Sequence, residues 1–266
     1  MPPRRLLALP LVATTFVAGA LAIEEGKKPG YKDTPYLPGD KWRVHDADRP
    51  HPPVVTPGAT VGQAPSDAVV LFDGKDLSKW RGDHGDATWE VVDGSAVATK
   101  KGVGSLVSRE EFGDCQIHLE WTAPNPPKGN DQGRGNSGVL IFGRYEIQVL
   151  DNFNNPTYAD GHAGAVYGQH PPLVNALRPP GEWQSYDILF TAPKFKDDGS
   201  VDKPAHVTVI VNGVVVQNNA EIIGSVAFRA LGRYQKHGPK GPIVLQDHGN
   251  PVRFRNIWVR PIGAES

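Results

Sequence analysis

A guanidinium, a carboxylate and an amide alternate along one short segment of the chain, as Arg144, Glu146 and Gln148. In a β-strand successive side chains point to opposite faces, so these three groups would share one face and the apolar residues between them the other. Such a polar face is often simply solvated. Together, however, the three groups supply the donors and acceptors that sugar hydroxyls require. The segment therefore predicts either a solvated strand face or a site for a carbohydrate.

Two nearby segments favour the site. Residues 116–120 also alternate, and their polar face includes Glu120, so we expect that strand to neighbour the Glu146 strand. Asn136 lies in a segment with glycines at 133, 135 and 138, which would let the backbone approach a ligand closely. Glu120 and Asn136 are therefore candidate substrate-binding residues.

Two polar loops add further candidates. Residues 158–169 form a glycine-punctuated loop that contains Asp160 and Tyr167, and residues 245–252 form a polar turn that contains His248 and Asn250. Loops held on a rigid sheet are where binding and catalytic groups are usually found. Asp160, Tyr167, His248 and Asn250 are therefore candidates for the same site.

The sequence lacks the common cofactor and nucleophile motifs. It has no Gly-x-Ser-x-Gly elbow, P-loop, His-Glu-x-x-His or dinucleotide fingerprint, so no cofactor is indicated. The nine histidines do not cluster in sequence, and a metal site assembled in space is left open. The single cysteine, Cys115, excludes an internal disulfide. A formal net charge of −1 gives no electrostatic basis for binding nucleic acid or an anionic membrane.

Short alternating or apolar runs separated by turns dominate the chain from residue 68 onward. The Asp-Gly pair at 93–94 and the Asn-Gly pair at 212–213 are strong hairpin signals. No segment of a dozen residues keeps a helical period, which disfavours crossover helices and a parallel sheet. The pattern predicts an all-β protein of two packed antiparallel sheets, a β-sandwich of the jelly-roll type.

The N-terminal residues predict export. Arg4 and Arg5 precede an apolar run over residues 6–21, and a small-x-small pattern at 20–22 predicts a signal peptide over residues 1–22. The run is short and contains Pro10, so no membrane span is expected after cleavage. We expect residues 23–66 to form a proline-rich arm and linker, with 34–57 laid on the domain and 58–66 a looser tether. Residues 67–263 would form the β-sandwich, in the periplasm or outside the cell.

Several motifs together resemble one known family. They lie at residues 71–80 (LFDGKDLSKW), 136–138, 144–151, 163–168, 179–187 and 249–257. The set is similar to the motifs of the 3-keto-disaccharide hydrolase domain family, from about residue 68 to 262. Members are described as 3-keto-glucoside 1,2-lyases and 3-keto-2-hydroxy-glucal hydratases. The resemblance implies a concanavalin-A-like, laminin-G-like sandwich that cleaves glycosides carrying a ketone at sugar carbon 3.

The resemblance gives the candidate residues a chemistry. A ketone at C3 acidifies the hydrogen on C2, so a base can abstract it, and donors aimed at the ketone oxygen stabilise the enolate. On this hypothesis Glu146 is the base, His248 or Asp160 assists proton transfer, and Arg144 and Gln148 bind oxygen and hydroxyl groups. Glu120, Asn136, Tyr167 and Asn250 would complete substrate binding. A sugar 3-dehydrogenase would act upstream to supply the ketone.

Other functions remain open on sequence grounds. The same sandwich hosts non-catalytic, lectin-like binding modules, because fold does not decide function. An ordinary glycosidase would place two carboxylates around the bond, but the Glu146 strand has Gln148 and Leu150 where a second acid would stand. A structural or adhesive envelope protein is a further alternative, for which the proline-rich arm is the only indication.

Overall fold

Residues 28–263 are described by the computed structural model, in two units. The predicted signal peptide lies outside these residues. The first unit contributes residues 28–54, which form turns and two isolated bridges. Within it, the Arg43 guanidinium lies 3.9 Å from the centre of the Tyr36 ring and donates to Thr34 O at 2.6 Å. No helix in residues 28–263 is long and apolar enough to cross a membrane.

The second unit, from residue 55, holds all the strands found in residues 28–263. In chain order these are β1 (Val69–Phe72), β2 (Trp80–Arg81), β3 (Glu90–Val92), β4 (Ser95–Val97), β5 (Leu106–Phe112), β6 (Cys115–Thr122), β7 (Ser137–Ile141), β8 (Tyr145–Val149), β9 (Gln184–Thr191), β10 (Lys194–Phe195), β11 (Val201–Lys203), β12 (His206–Val211), β13 (Val214–Glu221), β14 (Gly241–Leu245) and β15 (Arg253–Pro261). Two single-turn 3₁₀ helices, Asp131–Gly133 and Ala159–Gly161, are the helical elements of the described residues.

Two antiparallel sheets contain most of these strands. The larger has the order β13-β12-β9-β6-β15-β4-β3, with β1 also paired to β15, and the smaller has the order β2-β5-β14-β7-β8. The short strands β10 and β11 pair separately. Strand β8 lies at one edge of the smaller sheet.

One apolar core lies between the sheets. Strand alternation sends Ile117 and Leu119 of β6 into it from the larger sheet, and Ile147 and Val149 of β8 from the smaller. All four side chains are fully buried. Side chains at the intervening positions point away from the core, so polar residues of β6 and β8 lie on opposite outer faces of the sandwich. The predicted all-β, antiparallel jelly-roll sandwich is confirmed.

The turns follow the predicted chemistry. Asp93 and Gly94 have φ of 47° and 69°, and Asn212 and Gly213 have φ of 52° and 82°, as two-residue hairpins require. Residues 58–66, expected to be a loose tether, are instead bonded to the larger sheet. The Gly62 carbonyl accepts hydrogen bonds from Asn256 Nδ2 and Trp258 Nε1, both at 2.9 Å.

Candidate functional site

A pocket of about 450 Å³ opens on the outer face of the smaller sheet, around Glu146. It is lined by side chains from β8, from the segment before β7, from the end of β14 and from two loops: Gln132, Asn136, Glu146, Gln148, Tyr158, Tyr167, Val226, Phe228, Gln246 and His248. Its volume is in the range of small-molecule sites in proteins. We call it the Glu146 pocket.

A loop pairs with the edge strand β8. Gln148 N donates to Ala165 O at 3.0 Å, Gly164 N to Gln148 O at 2.9 Å, and Tyr167 N to Glu146 O at 3.1 Å. Residues 164–167 therefore act as a further strand beside β8, and Tyr167 lines the pocket. Glu146 is only 6% exposed and Gln148 only 1%, so the polar face of β8 is not a solvated one.

Burial changes the acidity of Glu146. Removal of the carboxyl group from water penalises its charged form and raises its pKa from 4.5 to about 7. Gly138, the partner of Gln148 across the β7–β8 ladder, makes room for the carboxyl group. A Cβ atom at position 138 would lie 2.5 Å from Glu146 Oε1. The carboxyl group is thus close to half-ionised at neutral pH and packed directly on the β7 backbone.

An amide network fixes the surroundings of Glu146. Gln132 Nε2 donates to Thr157 Oγ1 at 2.7 Å and to Gly161 O at 3.0 Å, and its Oε1 accepts from Gln148 Nε2 at 2.9 Å. Asn136 Nδ2 donates to Gln132 O at 2.7 Å. Since the carbonyl of Gly161 fixes which end of Gln132 is the donor, Gln132 in turn selects one orientation of the Gln148 amide.

The two orientations of the Gln148 amide suit different protonation states of Glu146. With Nε2 on Gln132, Gln148 Oε1 lies 3.2 Å from Glu146 Oε1, where it can accept a proton from a neutral carboxyl group. With the amide reversed, its nitrogen would donate to Glu146 Oε1 and, at 3.1 Å, to Ser137 O. That orientation suits an ionised carboxylate, but it sets the Gln148 oxygen 2.9 Å from Gln132 Oε1. The Gln132 contact favours the orientation that matches neutral Glu146, and that orientation sets Gln148 Oε1 3.1 Å from the carbonyl oxygen of Ser137.

The opposite wall of the pocket carries proton donors and acceptors. The hydroxyls of Tyr158 and Tyr167 lie 2.6 Å apart. His248 lines the pocket with an exposed side chain. Gln246 Oε1 is buried without a hydrogen-bond partner, so a hydroxyl of a bound ligand would satisfy it. These groups supply the polar contacts that a polyhydroxylated ligand needs.

The structure brings together five of the predicted site residues. Glu146, Gln148, Asn136, Tyr167 and His248 all line the Glu146 pocket.

Asp160 lines a neighbouring hollow that shares Tyr158, Tyr167 and Phe228 with this pocket. Residue alternation on β8 and the composition of the loops thus pointed to residues that the fold brings close together.

Three predicted residues lie elsewhere. Arg144 precedes β8 at the hairpin turn, outside the lining of the pocket, and its Nη1 lies 3.5 Å from Gln235 Oε1. The Asn250 side chain lines a different hollow, and its Oδ1 accepts from Gly135 N at 2.9 Å, so it supports the segment before β7. The expectation for Arg144 followed from strand alternation and that for Asn250 from a polar turn, and neither pattern determines where the side chain points.

Glu120 lies on the other side of the sandwich. The expectation that its strand neighbours β8 is wrong, because β6 lies between β9 and β15 in the larger sheet. Glu120 Oε2 accepts from Arg255 Nε at 2.6 Å, and its Oε1 accepts from Asn256 Nδ2 at 3.0 Å. Two polar-faced strands look alike in sequence whichever sheet they join.

Sequence reasoning missed Gln132, Gln246 and the aromatic wall at Phe228. Gln132 belongs to a single-turn 3₁₀ helix and Phe228 to the long connection between β13 and β14, where no periodicity marks a side chain as inward-facing. Within residues 28–263, no group of three or more His, Cys, Asp or Glu side chains is arranged to hold a metal ion.

Fold and pocket together define a jelly-roll β-sandwich protein with a small-molecule site on the outer face of its smaller sheet. Residues 67–260 match the 3-keto-alpha-glucoside-1,2-lyase-like domain family, and the chain belongs to that family. The family resemblance read from the sequence motifs is thereby confirmed.

Named relatives agree with this assignment. The chain is 24% identical over 241 residues to a 3-keto-disaccharide hydrolase of Bacteroides thetaiotaomicron, covering 74% of this chain and 80% of that protein. A solved structure from Parabacteroides distasonis, provisionally named as a glycosyl hydrolase, is 48% identical, with a TM-score of 0.78 over 84% of this chain and 99% of that one. A second structure from that organism, 23% identical with a TM-score of 0.53, shares the fold.

Proposed function

We propose that this protein is a carbohydrate-active enzyme that cleaves 3-keto-glycosides by elimination across C1–C2 followed by hydration. The observation that carries the proposal is the buried carboxyl group of Glu146, whose pKa is raised to about 7 in a pocket lined by amides and hydroxyls. Family membership and the printed names of the relatives support a glycosyl-hydrolase-like activity.

In the first step Glu146 acts as the base. Its carboxylate takes the proton from C2, and the electron pair of that C–H bond moves into the C3 ketone to form an enolate. Donors on the pocket wall, such as the Tyr167 hydroxyl, stabilise the charge on the C3 oxygen. A base whose pKa lies near the operating pH combines a useful ionised fraction with a strong tendency to take the proton.

In the second step the enolate collapses. The ketone at C3 reforms, a double bond forms between C1 and C2, and the C1–O bond to the leaving group breaks. A general acid protonates the departing oxygen, and we assign this role to His248 because it lines the same pocket as Glu146. Water then adds across the double bond: its oxygen joins C1, one of its protons passes to His248 and restores the general acid, and the proton on Glu146 returns to C2. The net reaction is hydrolysis.

Gln148 holds the proton on Glu146 between the two steps. Its Oε1 lies 3.2 Å from Glu146 Oε1 and can accept the carboxyl proton while the unsaturated intermediate is in the pocket. We therefore assign Gln148 and Gln132 to positioning the base, and Asn136 to holding the Gln132 backbone.

The test compares 3-keto-trehalose with trehalose as substrates of the purified protein. We expect glucose release from the keto sugar alone, and loss of that release in Glu146→Gln. Glu111→Gln, an exposed carboxyl group on the same sheet, is the matched control and retains activity. Binding of either sugar without turnover would instead identify a lectin-like module, and full activity of Glu146→Gln would remove Glu146 from the mechanism.

The proposed setting is outside the cytoplasm. The charged start and apolar run of residues 1–22 support export, and a ketone at C3 requires a sugar 3-dehydrogenase upstream. N-terminal sequencing of the protein recovered from its source cells checks the first point, and a mature chain beginning at Ile23 is the expected result.

A further inference from the structure

A second hollow of about 530 Å³ adjoins the Glu146 pocket. The two share Tyr158, Tyr167 and Phe228. Beyond these shared residues, the second hollow is lined mainly by small or apolar residues and by two charged ones: Asp160, Gly168, Ala227, Arg229, Ala230 and Leu231. We call it the outer hollow. It differs in chemistry from the Glu146 pocket, whose lining is rich in amides.

The loop that forms the outer hollow is held at both ends. It belongs to the connection from β13 to β14, which spans residues 222–240. Val226 N donates to Arg144 O at 2.7 Å, and Gln169 Nε2 donates to Gly224 O at 3.0 Å. On the far side, Tyr234 OH donates to Ile222 O and accepts from Ala205 N at 2.8 Å. Long connections with anchored ends are commonly functional.

The tip of this loop exposes large apolar side chains. Phe228 is 71% exposed and Leu231 is 82% exposed, whereas Ile222 at the start of the same connection is fully buried. Arg229 between them has φ of 55°, a left-handed conformation that a non-glycine residue adopts only where its surroundings enforce it. The tip is therefore shaped to present Phe228 and Leu231 outward beside the pocket.

We infer that the outer hollow binds the leaving group of the substrate, and that it favours apolar, planar aglycones over sugars. This inference rests on the proposed function, because it takes the Glu146 pocket as the seat of the oxidised sugar. A glycosidic oxygen leaving that pocket past the Tyr158–Tyr167 pair would carry its substituent into the outer hollow. There, the Phe228 ring and the aliphatic carbons of Leu231 offer burial of apolar surface, which an aryl group uses and a hydroxyl-rich group does not.

The experiment measures kcat/KM for two oxidised substrates, 4-nitrophenyl 3-keto-α-glucoside and methyl 3-keto-α-glucoside. Each variant is compared with the wild-type protein on the same substrate, so the difference in reactivity between the two leaving groups does not enter the comparison. We expect Leu231→Ser, and more strongly the Phe228→Ser/Leu231→Ser double variant, to lower kcat/KM for the aryl substrate by about tenfold, from lost apolar burial. The methyl substrate should change by less than about twofold with Leu231→Ser.

Leu173→Ser is the matched control, because Leu173 is 67% exposed on a different loop. It should leave both substrates unchanged. Equal losses on the two substrates, or no loss on either, would overturn the inference.

Calorimetric binding of unoxidised 4-nitrophenyl α-glucoside separates the inference from the proposed function. This compound lacks the C3 ketone, so the proposed reaction does not consume it. Suppose that the wild-type protein turns over neither keto sugar, and that the double variant binds this compound at least fivefold more weakly than the wild type. That result would support the outer hollow and contradict the proposed function. If instead the wild-type protein turns over both keto sugars and the double variant binds the aryl glucoside as tightly as the wild type, the proposed function would be supported and the outer hollow contradicted.

Discussion

Replacement of Glu146 by glutamine should change how the stability of the protein depends on pH. Glu146 has a pKa of about 7 in the folded protein, against 4.5 for an unburied glutamate, because the pocket removes its carboxyl group from water. The folded state therefore holds a proton on this group over a pH range in which the unfolded state has released it. Glutamine is neutral at every pH and close in shape, so Glu146→Gln removes this effect.

The sign and size of this effect on the free energy of unfolding follow from the two pKa values. Below about pH 4.5 both states are protonated and the group carries no penalty. As the pH rises from 4.5 to 7, the unfolded state ionises first, so the free energy of unfolding falls; above 7 the penalty is complete. A difference of about 2.5 in pKa, at 1.36 kcal/mol per unit, corresponds to about 3 kcal/mol.

Urea denaturation of the wild-type protein and Glu146→Gln from pH 4 to pH 8 measures this effect. The free energy of unfolding of the variant, relative to that of the wild type, should rise by about 3 kcal/mol across that range. The contributions of the other titrating groups are the same in both proteins and cancel in the comparison. A difference between Glu146→Gln and the wild type that does not change with pH would refute the assigned burial and pKa.

Three further outcomes are expected. With 3-keto-trehalose, kcat/KM should rise with pH to a plateau along a limb centred near pH 7, since the base must be ionised; a limb below pH 5 would contradict the role of Glu146. Gly138→Ala should lower kcat by about 100-fold with a native circular dichroism spectrum, because its Cβ would lie 2.5 Å from Glu146 Oε1 and displace the carboxyl group. Arg134→Ala should lower the free energy of unfolding in urea by about 3–5 kcal/mol, because Arg134 pairs in bidentate fashion with buried Asp151 at 2.7 and 3.0 Å; a loss below 1 kcal/mol would contradict that role.

Local sequence signals predicted the fold well. Asp93-Gly94 and Asn212-Gly213 are hairpin turns because both positions need a left-handed backbone, and the alternation within residues 116–120 belongs to strand β6. The same local signals could not predict which strands belong to which sheet. Neighbours in a sandwich come from distant parts of the chain: β14 lies between β5 and β7, although it follows them by about a hundred residues.

The candidate site could be predicted only in part, because some of its residues come together from distant parts of the chain. Residues on β8 and on the loops beside it were found from alternation and loop composition. Gln132 was missed because its role depends on contacts with Gly161 and Gln148, which are far from it in the chain. Arg144 was included because it shares a face with Glu146 in the idealised strand, but β8 begins one residue later, after the turn.

Glu120 and Glu146 have the same strand pattern in sequence but different surroundings in the structure, and the pattern does not show this difference. Both stand between apolar neighbours on a strand whose alternate residues enter the core. Glu120 lies in the middle of a sheet but pairs with Arg255, and its side chain is 20% exposed. Glu146 lies on an edge strand, and an edge strand offers free backbone groups that another segment can bind. Residues 164–167 use those groups, and Tyr167 lines the pocket that contains Glu146. Burial in that pocket raises the pKa of Glu146 and makes an outward-facing glutamate a candidate base.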